Sequence, residues 1–128
     1  MLSFEEVGDI LDDIAEELPE EFFKELNGGI LLLPDVRQST ADSAHGIYIM
    51  GEYVRDRMGR YIIIYYGSFA AIYRHCTPEK LREELRETLL HEFTHHIESL
   101  AGVRDLEIKD ELKMARLRAP GRYRMRRK

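Results

Sequence analysis

The 128-residue sequence contains one cysteine, no tryptophan and only four prolines. A lone Cys76 excludes an intrachain disulfide framework and a cysteine-built zinc knuckle. No apolar run nears the roughly 18 residues that cross a bilayer, so no membrane partner is expected. The N-terminus is acidic where a secretory signal would be basic, and the expected location is cytoplasmic. An apolar fraction of 44% argues against wholesale disorder. The length suits one compact domain, expected over residues 1–118, with a basic and flexible tail at 119–128.

The formal charge of −5 conceals a gradient. Residues 1–35 hold eleven acids against Lys24, residues 36–118 hold equal numbers of each sign, and 119–128 hold five bases and no acid. A basic tail raises the question of nucleic acid. The chemistry in the middle of the chain needs none, and nucleic acid is not an expected partner.

Periodicity supplies the elements. Phe4, Val7, Ile10, Leu11, Ile14 and Leu18 recur at helical spacing behind a Ser3/Glu6 capping box, which predicts a helix over 3–17. Pro19 ends it and opens a short helical stretch through Phe22, Phe23 and Leu26. Ile30–Leu33 reads as a short strand and 46–54 as a looser one. Residues 55–59 read as a turn, and Tyr61–Tyr66 as a central strand with too few polar positions to be half exposed. Residues 69–73 read as a further strand or a loop. Thr77-Pro78 starts the longest helix, which runs to Ala101 before Gly102, and a last helix covers 106–118.

On the long helix stands His91-Glu92-Phe93-Thr94-His95. Residues i and i+4 lie one turn apart on one helix face, so two imidazoles can grip one ion. The Glu between them can take a proton from a water held by the metal and pass it to a leaving amine. Neutral imidazole suits zinc, so one Zn2+ is the expected cofactor. Chance would produce such a motif about 0.02 times in a chain of this composition. On a wheel of about 100° per residue with Leu81 at the origin, Leu85, Leu89, Phe93 and Ile97 fall within about 40–160°, while His91 and His95 fall near about 280° and 320°. The two histidines therefore face away from the core, and Glu92 sits at the border of the two faces.

A third ligand is needed. Glu98 shares the histidine face but lies about 7.5 Å further along the axis than the middle of the pair, beyond the reach of its side chain in a straight helix. Its expected role is to orient a ligand or hold a cation. Chain turning back after Gly102 offers Asp105, Glu107 and Asp110, of which Asp105 comes first.

The run HEFTHHIESLAGVRDLE, with GEYV at 51–54 and IIIYYG at 62–67, resembles the small bacterial zincin-like metallopeptidases over about residues 3–115. The resemblance implies an α+β minimal zincin-like domain, a hydrolase of the HExxH type. Its short mixed or antiparallel sheet packs on the HExxH helix, with N- and C-terminal helices. It also implies His91 and His95 as zinc ligands and Glu92 as general base. Short members carry HExxHxxGxxD; here Glu98 and Ala101 replace the Gly and Asp, and Gly102 with Asp105 repeats that pair four residues later, which favours Asp105.

His96 falls on the core side and reads as a hydrogen-bonded structural residue; His45 and His75 read as surface or strand-end residues, and Cys76 as a plain thiol. One of Tyr48, Tyr53, Tyr65 and Tyr66 is a candidate to stabilise an oxyanion. The expected function is a zinc-dependent peptidase acting on a peptide or protein substrate. The alternative is a metal-binding module of the same fold that holds a peptide or protein partner with little or no turnover.

Overall fold

The computed structural model describes residues 1–39, 47–100 and 106–117, with the side chains of 106–109 outside the description. Helix α1, Phe4–Glu17, starts on the expected capping box: Ser3 Oγ accepts from Glu6 N–H at 3.1 Å, and Glu6 Oε1 accepts from Ser3 N–H at 2.8 Å. It buries Val7, Leu11 and Ile14. After Pro19 a single 3₁₀ turn, Glu20–Phe23, buries Phe22.

Three strands follow: β1, Gly29–Leu33; β2, Gly51–Asp56; and β3, Gly59–Tyr65. Their order is β1-β3-β2, with β1 parallel and β2 antiparallel to β3. The sheet is therefore mixed and the YIII run is central. Ile62 and Ile64 are fully buried beneath the helices. Strand β2 extends through Asp56, two residues past the expected end, so the turn shrinks to Arg57 and Met58. Gly59 makes that tight return possible at φ +116°, where a Cβ would meet the Asn27 side chain at 2.2 Å. Asn27 Oδ1 in turn accepts from Arg60 N–H at 2.9 Å.

Residues 69–73, expected as a strand or a loop, instead lie in helix α2, Tyr66–Tyr73, which also takes Tyr66 from the expected end of the central strand. Tertiary docking overrides the β preference of Phe69, Ile72 and Tyr73. Ser68 Oγ accepts from Arg37 N–H at 3.0 Å and donates to Arg37 carbonyl at 3.2 Å. Gly67 lies so close to Asp35 that a Cβ would stand 2.6 Å from its carbonyl.

Helix α3, Pro78–Ser99, is capped by Thr77, whose Oγ1 accepts from Lys80 N–H at 3.1 Å. It lies on the sheet and against α1, burying Leu81, Leu85, Leu89, Phe93 and Ile97. Phe93 meets the rings of Phe22 and Phe23 at centroid distances of 5.8 and 5.1 Å, which joins the 3₁₀ turn to the same core. Helix α4, Leu106–Leu117, packs on α3 through Leu112 and Ala115. Among the described residues this is an α+β arrangement of four helices and one small mixed sheet; the α+β class and the N- and C-terminal helices are as expected, and α2 is the addition. No described helix is long and apolar enough to cross a membrane.

Candidate metal centre

The core stripe of α3 points its opposite face outward, and that face carries His91 and His95, both exposed. Their Nε2 atoms stand 3.2 Å apart, with the rings perpendicular. Two imidazole nitrogens bound to one tetrahedral zinc at about 2.05 Å each would be about 3.3 Å apart. The donor chemistry and its spacing both fit zinc. Burial holds His91 below the ordinary imidazole pKa, helped by His95 and Arg116 and opposed by Glu87 and Glu98. That shift favours the neutral ring a metal requires.

Glu92 stands at the border of the two faces, lining the cleft with His91 while only 6% exposed. Burial raises its carboxyl pKa, and the charge of Glu52 adds to this against the opposing pull of His95. A carboxylate made more basic in this way is suited to receive a proton.

Strand β2 forms the wall opposite α3. Tyr65 N–H donates to Met50 carbonyl at 3.0 Å, which fixes the alternation of the ladder. Met50, Glu52 and Val54 then face β3 with their backbone groups, and Gly51, Tyr53 and Arg55 turn theirs outward. Between strand and helix lies a cavity of about 750 Å³ lined by Gly51, Glu52, Tyr53, Arg55, His91, Glu92, His95, Glu98 and Ser99.

Behind the His91/His95 face, His96 is fully buried. Its Nε2 lies 2.8 Å from Lys24 carbonyl, an acceptor only, so that nitrogen carries the proton. Its Nδ1 then accepts from the Tyr53 hydroxyl at 2.8 Å. Ser99 Oγ lies 3.0 Å from the same hydroxyl and accepts from Arg60 Nη1 at 2.7 Å. The structural reading of His96 is borne out, and the tyrosine expectation gains detail. Tyr53 lines the cleft but commits its proton to His96. Tyr65 donates to Glu52 and Tyr66 to Leu2 carbonyl, while Tyr48 sits in an isolated bridge with Gln38.

Glu98 lines the cleft yet does not close a ligand set: among the described residues no three His, Cys, Asp or Glu groups gather as a metal site. Asp105 lies outside the described residues, as does the side chain of Glu107; Asp110 is exposed on α4. His75 and Cys76 are exposed, and His45 lies outside the described residues, as does the basic tail.

Two residues near the site carried no signal in the sequence. Arg116 reaches from α4 to α3, donating to Thr94 Oγ1 at 3.2 Å and pairing with Glu87, one helical turn before His91. Gly51 lies where α3 crosses β2, and a Cβ there would stand 3.1 Å from Thr88 Cγ2 and 3.0 Å from Ile63 carbonyl.

A family model described as zincin-like metallopeptidase matches residues 45–114, which contain both histidines, Glu92 and the cleft wall. The chain belongs to this family of zincin-like metallopeptidases. A conserved hypothetical protein from Thermus thermophilus is similar in structure and sequence. The TM-score is 0.67 at 31% identity, over 78% of this chain and 98% of that one. No curated protein matches the chain. Placed in the zincin-like family, the α3 histidine face and its buried carboxylate occupy the matched segment, and the N-terminal helix and basic tail lie outside it.

Proposed function

We propose that this zincin-like protein is a zinc-dependent peptidase. The 3.2 Å Nε2 pair carries the reading, set beside a buried carboxylate in a cleft with an open strand edge. His91 and His95 hold the ion through neutral rings, and Asp105 is the first candidate for the third ligand, ahead of Glu107 and Asp110. Bound zinc supplies a Lewis acid that polarises a water and the scissile carbonyl. Glu92 removes a proton from the attacking water and delivers it to the departing amine. The outward backbone groups of Gly51, Tyr53 and Arg55 hold an extended substrate by strand addition. The substrate class is thus an unfolded peptide segment.

The test is cleavage of a reduced, unfolded protein by zinc-loaded enzyme, with Glu92→Gln beside it. Loss of a general base lowers the rate about 10²–10⁴-fold. Stoichiometric zinc binding with no cleavage, or equal cleavage by the variant, rejects the peptidase and leaves a metal-bearing peptide-binding module.

A further inference from the structure

Strand β1 ends the sheet, and its outer side is bare. Among the described residues no backbone group bonds to residues 30–33 from beyond the sheet. None of the five residues Gly29–Leu33 is buried. Edge strands are ordinarily blunted by a charge, a proline or a covering element. Strand β2 carries Glu52, Arg55 and Asp56, whereas β1 is GILLL. Beside it α1 leaves a groove of about 140 Å³ lined by Gly8, Leu11, Asp12, Ala15, Ile30 and Leu32. On the opposite face of the strand, Leu31 is 43% exposed.

Along the rim of that groove runs a stripe of carboxylates. Glu5, Asp9, Asp12 and Glu16 are all exposed and fall within about 60° of one another on the helical wheel. Helix α1 holds no Lys or Arg, and among the described residues no base pairs with these four. Neighbours along the stripe stand about 4.5–6 Å apart on the helix axis. This charge selects the occupant. A second copy pairing through β1 would bring two such stripes to one seam, and like charges repel. A strand that fits carries positive charge at every second position. Residues 122–126, Arg-Tyr-Arg-Met-Arg, have that pattern. In an extended strand the three arginines share one face about 6.8 Å apart, and Tyr123 and Met125 share the other. Helix α4 packs on the 3₁₀ turn that leads from α1 toward β1, and residues 118–121 can span up to about 13 Å beyond it.

We infer that residues 122–126 of the same chain add to the outer side of β1 as a fourth strand. Arg122, Arg124 and Arg126 lie over the groove, with their stems on Leu11, Ala15, Ile30 and Leu32 and their guanidinium groups on the carboxylate stripe. Tyr123 and Met125 cover Leu31. The tail thereby closes an apolar edge that the fold otherwise leaves open. Helix α1, strand β1 and the tail all lie outside residues 45–114, so this surface is separate from the segment the family model matches.

A nitroxide on the full chain tests this by nuclear magnetic resonance. The label is carried on Lys128→Cys, with Cys76→Ser so that it has a single thiol to react with. Its unpaired electron erases the amide signals of residues held near it. At about 10 mM salt the signals of Gly29–Leu33 and of residues 8–15 are lost, and they return at about 1 M, where the screening length falls to about 3 Å. Asp9→Lys, Asp12→Lys and Glu16→Lys together restore them at low salt, as do Arg122→Glu, Arg124→Glu and Arg126→Glu together. Combining the two sets loses the signals again, because the charges are exchanged and the strand edge is unchanged. Signals indifferent to the label, loss centred on another face, or loss that survives either charge set alone overturns the proposal. Loss that vanishes when the labelled protein is diluted into an excess of unlabelled protein puts the tail on a second copy and overturns the single-chain arrangement.

Discussion

Removing the Tyr53 hydroxyl should show what the hydrogen bond between β2 and the buried His96 of α3 contributes to stability. In Tyr53→Phe, His96 keeps its Nε2 bond to Lys24 carbonyl, so it cannot switch tautomer without losing that bond. Its Nδ1 is left without a donor in a residue with no solvent exposure, a loss of about 1–2 kcal/mol. In His96→Leu the Tyr53 hydroxyl can fall back on Ser99 Oγ at 3.0 Å, and exposed Lys24 can turn its carbonyl to water, so the cost is about 1–3 kcal/mol. The double variant has already lost the bond once. It should be more stable than the sum of the singles predicts by about 1 kcal/mol. Urea unfolding of the four proteins, followed by circular dichroism, gives these differences. Each single should melt about 4–10 °C lower for a domain of this size. Additivity within about 0.3 kcal/mol would show that Tyr53 and His96 are not coupled.

Other outcomes follow from the same geometry. Zinc affinity should fall steeply in His91→Ala and His95→Ala and hardly at all in Glu98→Ala; among Asp105→Ala, Glu107→Ala and Asp110→Ala, the largest loss by competitive chelator titration identifies the third ligand. Because burial raises the Glu92 carboxyl pKa, the acid limb of kcat/KM should lie above the ordinary carboxylate range, with activity lost as pH falls through it. Burial depresses the His96 pKa, so the unfolded chain binds the extra proton first; stability should fall as pH drops below about 6.5 and level off below the folded value, with a shallower fall in His96→Gln. Arg116→Ala should loosen α4 from α3 and lower the melting temperature by a few degrees, as expected for a partly exposed pair.

The histidine face was legible because its rule is local. Helix periodicity alone separates His91 and His95 from the leucine stripe, and the same wheel places His96 inside. The central strand was legible from composition, and both helix caps from their residues. Helix α2 was not, since its apolar run fits a strand equally well and only its anchorage to the chain around Asp35 and Arg37 decides the matter. The wheel placed Glu92 at the border of the two faces but gave no sign of its burial, because a wheel knows nothing of the strand across the cleft. Arg116 and Gly51 were invisible for a related reason: their importance comes from the neighbour across a gap, α3 in both cases.

The strand order has a consequence for how the chain assembles. Both outer strands, β1 and β2, depend on the one synthesised last. Gly29 must wait for Tyr61, 32 residues downstream, before its strand has any ladder partner. The β2–β3 turn is short and can close in microseconds, whereas the β1–β3 closure bears the larger loop entropy. Refolding should therefore begin at the hairpin and be completed by capture of β1 together with α1. A nascent chain paused before residue 65 would carry an apolar GILLL segment with no sheet to join, which makes this stretch the natural starting point for misassembly.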